Sequence, residues 1–400
     1  MRIIIVGAGV VGAATAYFLA QRGHDITVLD QHARPGQGAS FGNAGQLSYS
    51  YTDTLADVGM LRRLPGMLLG RDPAMRIRVD LALVPWGLRF LARCTRRQAD
   101  LATVQLLQLA AESASAMEAL LKDAPLDFGH RAAGKLMITS SPQTLAGLRR
   151  RAELKRQHDV TVDIVDAKDS LAIEPALADW RSPIAGAAYA RNDSAGDAEV
   201  FTRSLCNHLV THGLARIVTG VEVQRLLRHR GRIVGVQTES GTLEADAVVI
   251  CAGVGARRLV RGLPVCMPIY PLKGYSLTCA PGPRPPRVSL TDLDRRIVFA
   301  NLDGRVRLAG LADCVGDDAT IDAQRVSELR RLGTEVLPEA GHLDAALPWA
   351  GLRPATPSGL PLVGGTRVPG LFLNVGHGAL GWTLACGTAR QLAEQLPAHC

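Results

Sequence analysis

Lysine is scarce in this 400-residue chain: Lys122, Lys135, Lys155, Lys168 and Lys273 are the only ones, so the formal net charge of +8 is carried almost wholly by arginine. Such a bias commonly reflects nucleotide composition. No zinc-finger, RRM or helix-turn-helix pattern accompanies the charge, so a nucleic-acid partner is not expected. The eight cysteines, from Cys94 to Cys400, show no C-x-x-C spacing and no paired clusters. That excludes a zinc site and a disulfide framework, so no metal is expected, and reduced thiols in a cytoplasmic protein fit best. No apolar run reaches the about 20 residues of a membrane span. The apolar first twenty residues do not read as a secretory leader, because Gly7, Gly9 and Gly12 interrupt them and acidic residues follow at once. Internal repeats and low-complexity tracts are lacking too.

What is present is material for a large core: 47% hydrophobic and 20% charged residues with 41 glycines describe a turn-rich α/β protein. The length exceeds what one hydrophobic core usually supports, so two domains sharing an interface are expected. Arg2 to Val6 is a run of β-formers, Val10 to Arg22 continues at helical density until Gly23, and Asp25 to Leu29 reads as a second buried strand ending at Asp30. Beyond residue 60, Leu64, Met67, Trp86 and Phe90 mingle with arginines, and a long helix is predicted from about Leu101 to Leu121. Strand candidates Lys135 to Thr139 and Val160 to Val165 flank a basic helix over Thr144 to Gln157, an order that predicts an antiparallel or mixed sheet. Extended segments follow between Ala215 and Ala252, then over Pro264 to Thr278 and Ile297 to Leu311. The chain closes with a strand over Leu371 to Val375 and a helix over Trp382 to Leu396.

Gly7-Ala8-Gly9-Val10-Val11-Gly12 is G-x-G-x-x-G directly after a strand and opening a helix. Gly7 permits the tight turn, Gly9 lets the backbone approach a pyrophosphate, and Gly12 lets helix and strand pack closely, with the helix N-terminus facing the phosphates. Asp30 ends the next strand, where an acid accepts hydrogen bonds from ribose hydroxyls. This unit alone does not separate NAD from FAD. Ala39 to Gln46 is a run of small residues with hydroxyl and amide donors, suited to a second phosphate and ribityl contact or to a plain surface loop. Asn374 to Thr383 sets glycines at the start of the last helix, whose amides would suit the N1/C2 carbonyl edge of a flavin.

Taken together, Ser40 to Gln46, Tyr270-Pro271-Leu272-Lys273-Gly274-Tyr275-Ser276-Leu277, Gly351-Leu352-Arg353-Pro354-Ala355-Thr356-Pro357 and Leu373 to Trp382 resemble the D-amino-acid oxidase superfamily of FAD-dependent oxidoreductases. Within it, the branch of D-amino-acid dehydrogenases is the most similar, over nearly the whole chain. The resemblance implies an α/β fold: a Rossmann-like FAD-binding domain plus an α+β substrate domain with a large mixed sheet. The expected FAD segments are residues 1–60, 193–268 and 340–400, and the expected substrate segments are 61–192 and 269–339.

It also implies that Arg353 binds the substrate carboxylate, a role for which its planar fork is suited. Arg295 stands where similar dehydrogenases carry a tyrosine, so Tyr51, Tyr270 and Tyr275 are the aromatic candidates, and Tyr51 and Tyr275 join Arg353 as the expected catalytic set. Expected FAD contacts are Gly7, Gly9, Val10, Val11, Gly12, Asp30, Gln31, Ser40, Asn43, Ala44, Gly45 and Gln46. Val223, Ala252 and Gly253 are further ones, with Gly376, His377, Gly378, Leu380, Gly381, Trp382 and Thr383 near the C-terminus.

The expected reaction is oxidative deamination of a small D-amino acid to a 2-oxo acid and ammonia, by hydride transfer from the α-carbon to flavin N5. Electrons would then pass to a quinone or other acceptor. The alternatives are an oxygen-using oxidase of glycine, sarcosine or another secondary amine, and a non-catalytic FAD subunit of a larger dehydrogenase. The mixed apolar and basic stretch from Leu61 to Arg97 raises a peripheral contact with the cytoplasmic membrane, against the plainer reading of a core-facing helix with solvated arginines. Homo- or hetero-oligomers are both compatible with the sequence.

Overall fold

A computed structural model describes residues 1–397, so the Cys400 thiol lies outside the described residues. The buried opening strand Arg2–Val6 sits inside a six-stranded sheet. In spatial order its strands are Leu362–Gly365, Leu371–Val375, Ala247–Ile250, Arg2–Val6, Asp25–Asp30 and Ala215–Thr219, all parallel except the first. Parallel strands of this kind must be covered on both faces. On one side lie the opening helix Val10–Ala20, the long helix Arg96–Asp123, the helix Ala198–Thr211 and the closing helix Gly381–Gln395, which share one core with Ile3, Ile5 and Val249. On the other, a three-stranded meander over Val223–His229, Arg232–Thr238 and Gly241–Glu244 packs its Val223, Ile233 and Val236 against Ile4, Val248 and Ile250.

The second sheet has nine strands and is mixed. Its main path runs from the edge strand Leu347–Ala355 through Tyr270–Cys279, Val306–Cys314, Ile297–Asn301, Ser289–Asp292, Lys135–Thr139 and Gly186–Ala190 to Asp163–Val165. The period of two in each strand divides the residues between two faces. Tyr275, Leu277, Phe299, Leu308, Leu290 and Leu136 join a core with Val326, Leu329 and Val336 of the helix Ala323–Val336. Their neighbours Gly274, Ser276, Thr278, Arg307, Ser289 and Lys135 point the other way, where the cofactor-domain loop over residues 43–48 is bonded to Arg307 and Lys135.

Three sequence expectations are corrected here. Ile297 to Leu311 is two strands joined by a hairpin, because Asp303 and Gly304 take positive φ and turn the chain. The last cofactor-domain segment starts later than residue 340, since Leu347–Ala355 pairs along its whole length with Tyr270–Cys279 in the substrate sheet. The long helix, placed by sequence in a substrate segment, packs its Ala116, Met117 and Leu120 into the cofactor-domain core instead. Amphipathic periodicity shows that a face is buried, not which domain buries it.

Candidate functional site

The glycine turn after the opening strand is held by contacts that only glycine allows. A Cβ on Gly7 would lie 2.7 Å from the Cys251 carbonyl oxygen, and one on Gly12 would lie 1.8 Å from the Gly7 carbonyl oxygen. Gly7 also needs its positive φ of 108°. The Asp30 carboxylate accepts from the Ala8 amide at 2.6 Å and from the His32 amide at 2.8 Å, and the His32 ring stands 2.8 Å away. His32 was missed in the sequence, where nothing but its place two residues after Asp30 marks it. The Val10 amide at the helix N-terminus donates to Ser40 Oγ at 3.0 Å, which brings the loop over residues 39–46 against the glycine turn. Val11, Ala44 and Ala252 are half-buried beside this crevice, Gly253 has a φ of 52°, Val223 is buried in the meander, and Gln31 is exposed.

The same loop then turns toward the sheet. Asn43 Oδ1 accepts from the Gly45 amide at 2.9 Å, and Gly45 takes a φ of 73°. Gln46 pairs with Ala195, and the Ser48 amide donates to Thr383 Oγ1 at 3.0 Å. Thr383 lies in the first turn of the closing helix, whose N-cap Leu380 makes no side-chain cap. Gly376 and Gly378, with φ of 84° and 55°, shape the approach to it. Two neighbours in this motif are committed elsewhere. The buried His377 ring meets Thr388 Oγ1 at 3.1 Å, and burial pushes its pKa down to about 4, so the ring is neutral near pH 7. Trp382 donates to the Gly196 carbonyl at 3.0 Å and packs edge-on against Phe128, so its indole belongs to the core.

Arg353 lies on the inward face of the edge strand, opposite Leu272 in register. Its guanidinium covers Gly274, where a Cβ would be 2.3 Å from Nη2. Nη1 donates to the Leu311 carbonyl at 3.2 Å. Burial lowers the Arg353 pKa while the nearby Asp313 opposes that shift, and the residue keeps part of its surface accessible. Leu311 sits in a β-bulge: Lys273 faces Asp313 but Tyr275 faces Gly310, leaving one extra residue on the bulged strand. Its φ of 59° is uncommon for leucine and costs on the order of 1 kcal/mol.

The three residues expected to act together are not brought together. Tyr275 points to the opposite face of the sheet, where its hydroxyl donates to Asp313 Oδ2 at 3.0 Å, and Asp313 is itself paired with Arg325 at 2.7 Å in full burial. Burial and Asp313 raise its pKa above the ordinary phenol value, so Tyr275 is a neutral supporting group. Tyr270 donates to Asp80 Oδ2 at 2.7 Å. Tyr51 lies against Lys135, whose strand is separated from that of Arg353 by four others: its ring centroid is 4.6 Å from Lys135 Nζ and 5.2 Å from Lys155 Nζ. Burial pushes the Tyr51 hydroxyl up to about 12 and the Lys135 ammonium down to about 8. Arg295 is in the turn before Ile297, bound to Asp292 Oδ2 at 3.0 Å and Ser182 Oγ at 2.8 Å. The aromatic group beside Arg353 is one that the sequence reading missed, Trp349. It shares a face with Gly351 and Arg353, and its indole fills the space above both Gly351 and Gly42, where added Cβ atoms would each lie 2.2 Å from it. Its four-residue spacing from Arg353 in a strand was the available signal.

The residues fit a flavin dinucleotide. A Cβ on Gly9 would meet only Ser40 Oγ, at 3.4 Å, the closing helix has no side-chain cap, and the inward face of the large sheet carries buried hydroxyls with no partner among the described residues, Ser276 Oγ, Ser289 Oγ and Thr291 Oγ1. Such orphaned donors are uncommon in a finished interior and are what a bound group satisfies. A two-sheet molecule with a glycine-turn crevice on one sheet and a partly accessible arginine on the other is the architecture of a flavin-dependent oxidoreductase. The chain belongs to the DAO family of FAD-dependent oxidoreductases, whose family model matches residues 2–395. It is 40% identical to D-amino acid dehydrogenase 2 of Ralstonia nicotianae, with 98% of this chain and 96% of that protein covered. It is also 40% identical to D-amino acid dehydrogenase 2 of Pseudomonas aeruginosa, with 99% and 94% covered. Among solved structures, glycine oxidase from Bacillus cereus shares the fold at a TM-score of 0.75 and 20% identity, covering 100% of this chain and 96% of that one. L-proline dehydrogenase from P. horikoshii does so at a TM-score of 0.76 and 18% identity, with 98% and 92% covered.

Proposed function

We propose that this protein oxidises D-amino acids at the α-carbon, with Arg353 holding the substrate carboxylate. The observation that carries the reading is the state of that guanidinium: deep in the protein, partly accessible, and bonded to a single backbone carbonyl. A planar cation with unused donors takes a carboxylate in a bidentate grip. The names of the relatives at 40% identity support the D-amino-acid class. Bound FAD supplies the two-electron acceptor. On the protein side, Gly7, Gly9 and Gly12 with Asp30 would hold the dinucleotide half, and the loop from Ser40 to Gln46 with the first turn of the closing helix would hold the ring half.

Arg353 fixes the carboxylate so that the α-hydrogen is presented in one orientation, which removes much of the entropic barrier. The neutral amine provides the electron pair that forms the C=N bond as hydride leaves the α-carbon, so no side-chain base is needed for that step. Water then adds to the imino acid and ammonia leaves, giving the 2-oxo acid. Electrons pass onward to a quinone or another acceptor that is not oxygen. Anaerobic addition of D-alanine or D-proline to the flavin-loaded protein is expected to bleach its visible absorbance, and the L-enantiomers are expected not to. Bleaching by none of a panel of D-amino acids would remove the reading. Rapid peroxide formation under air would move it to the oxidases.

The acceptor fits a membrane surface. No helix among the described residues is long and apolar enough to cross a membrane. Yet among the described residues ten of the fifteen exposed large hydrophobics lie between Leu55 and Leu101, including Leu68, Leu69, Leu81 and Leu88. Exposed Arg71, Arg78, Arg89 and Arg97 alternate with them. Apolar side chains rimmed by arginines suit the anionic face of a bilayer, where a quinone is reached. Flotation with liposomes containing anionic lipid is expected to carry the protein upward, more weakly as salt rises. Equal recovery in the bottom fraction with and without lipid would dismiss the contact. The seven described cysteines are free, which agrees with a cytoplasmic setting for the rest of the molecule.

A further inference from the structure

We infer that Gly274 and the Leu311 bulge are positioning elements that set where the Arg353 guanidinium stands, and through it the affinity for the substrate carboxylate. The inference rests on the carboxylate role of Arg353 proposed above. Two unrelated parts of the sheet converge on this one side chain. From the neighbouring strand, Gly274 leaves the space that the guanidinium occupies: a Cβ there would be 2.3 Å from Nη2, 2.4 Å from Cζ and 2.8 Å from Nη1. From the strand beyond, the bulge turns the Leu311 carbonyl onto Nη1 at 3.2 Å.

Neither feature follows from the needs of the sheet itself. Gly274 has an ordinary negative φ in the middle of a ten-residue buried strand, where glycine weakens a strand and is usually kept for close approach. Leu311 holds a backbone conformation that leucine disfavours, and such residues persist where the surroundings over-determine them. The pairing of Gly274 with Gly351 extends the same floor toward Trp349. Arg353 has no carboxylate partner of its own, because the nearby Asp313 is taken by Arg325 and Tyr275. Its position therefore depends on the glycine floor and on one carbonyl.

The test is Gly274→Ala in the full flavin-loaded protein. The atoms that an added methyl meets are the far end of a flexible side chain, so the guanidinium moves while the strand stays paired. The KM for D-alanine and the inhibition constant for propionate, which keeps only the carboxylate, are expected to rise together by about tenfold to a hundredfold. The flavin spectrum and the melting temperature are expected to change little. Leu311→Val, which disfavours the bulge conformation from the other side, is expected to raise the same two constants. In Gly274→Ala/Arg353→Ala the defect is expected to equal that of Arg353→Ala alone, since both act through one side chain. Unchanged constants in Gly274→Ala and Leu311→Val, beside a large defect in Arg353→Ala, would overturn this inference and leave the carboxylate role standing. Unchanged constants in Arg353→Ala would overturn both.

Discussion

Two arginines share one face of the large sheet and have opposite fates. Arg307 is 4% exposed and each of its three nitrogens is engaged: Nε on Thr278 Oγ1 at 2.9 Å, Nη1 on the Asn43 carbonyl at 2.8 Å, and Nη2 on Asp197 Oδ2 at 3.3 Å. Thr278 belongs to the substrate sheet, whereas Asn43 and the helix-capping Asp197 belong to the cofactor side, so Arg307 is a clasp between the two halves. Among the described residues Arg353 makes one hydrogen bond, to a carbonyl within its own sheet, and no ion pair. Burying a charge without a partner is costly, and nature tolerates it where a ligand will supply the partner. The count of unspent donors, more than depth, separates the arginine that builds the site from the one that uses it.

The contrast is sharpest when each side chain is removed. On the carboxylate role proposed above, Arg353→Ala would take away two charge-assisted hydrogen bonds, about 1.5–3 kcal/mol each, so kcat/KM for D-alanine is expected to fall about a thousandfold. Its urea midpoint is expected to stay within experimental error of the parent. Arg307→Ala is expected to do the reverse at the level of the fold, costing about 3 kcal/mol of stability because Asp197 is left buried with less compensation. The figure sits at the low end because Arg305 also reaches Asp197 at 3.0 Å. Equal losses of stability in the two variants, measured by urea unfolding of the flavin-loaded proteins, would erase the distinction.

The same contrast marks what could be read before the structure. The turn at Gly7, Gly9 and Gly12 and the strand end at Asp30 were legible because they are local, all within one stretch from residue 7 to residue 30. Arg353 was singled out through resemblance. Arg307 was not, since an arginine in an extended segment carries no sign of which distant carbonyls it will meet, and its partners lie 29, 110 and 264 positions away. Tyr275 was misplaced for a related reason. It stands beside Gly274 in sequence, yet adjacent strand residues face opposite ways, which sends its ring to Asp313 and the helix Ala323–Val336. The bulge at Leu311 was not legible because its positive φ falls on a leucine and not on the neighbouring Gly310, and only the register between two distant strands reveals the extra residue.

Trp349 extends the comparison to a third side chain on that face and gives its finest test. Every amino acid presents the same carboxylate to Arg353, so altering that residue should depress all substrates by a similar factor. The indole, which spans from Gly42 to the space above Gly351, stands next to the guanidinium and would meet the part of the substrate that varies. Trp349→Phe keeps an aromatic ring near Gly42 but no longer reaches fully over Gly351. D-leucine and D-phenylalanine are therefore expected to gain on D-alanine in kcat/KM by several-fold, roughly the 1 kcal/mol that a methylene-sized change in an apolar pocket carries. The ratio between substrates is the quantity to measure, because a loss of packing between the halves would lower every rate alike and leave the ratios where they were. If the three D-amino acids keep their relative kcat/KM in Trp349→Phe, the indole is a spacer between the halves, and the side-chain wall of the pocket is made by other residues.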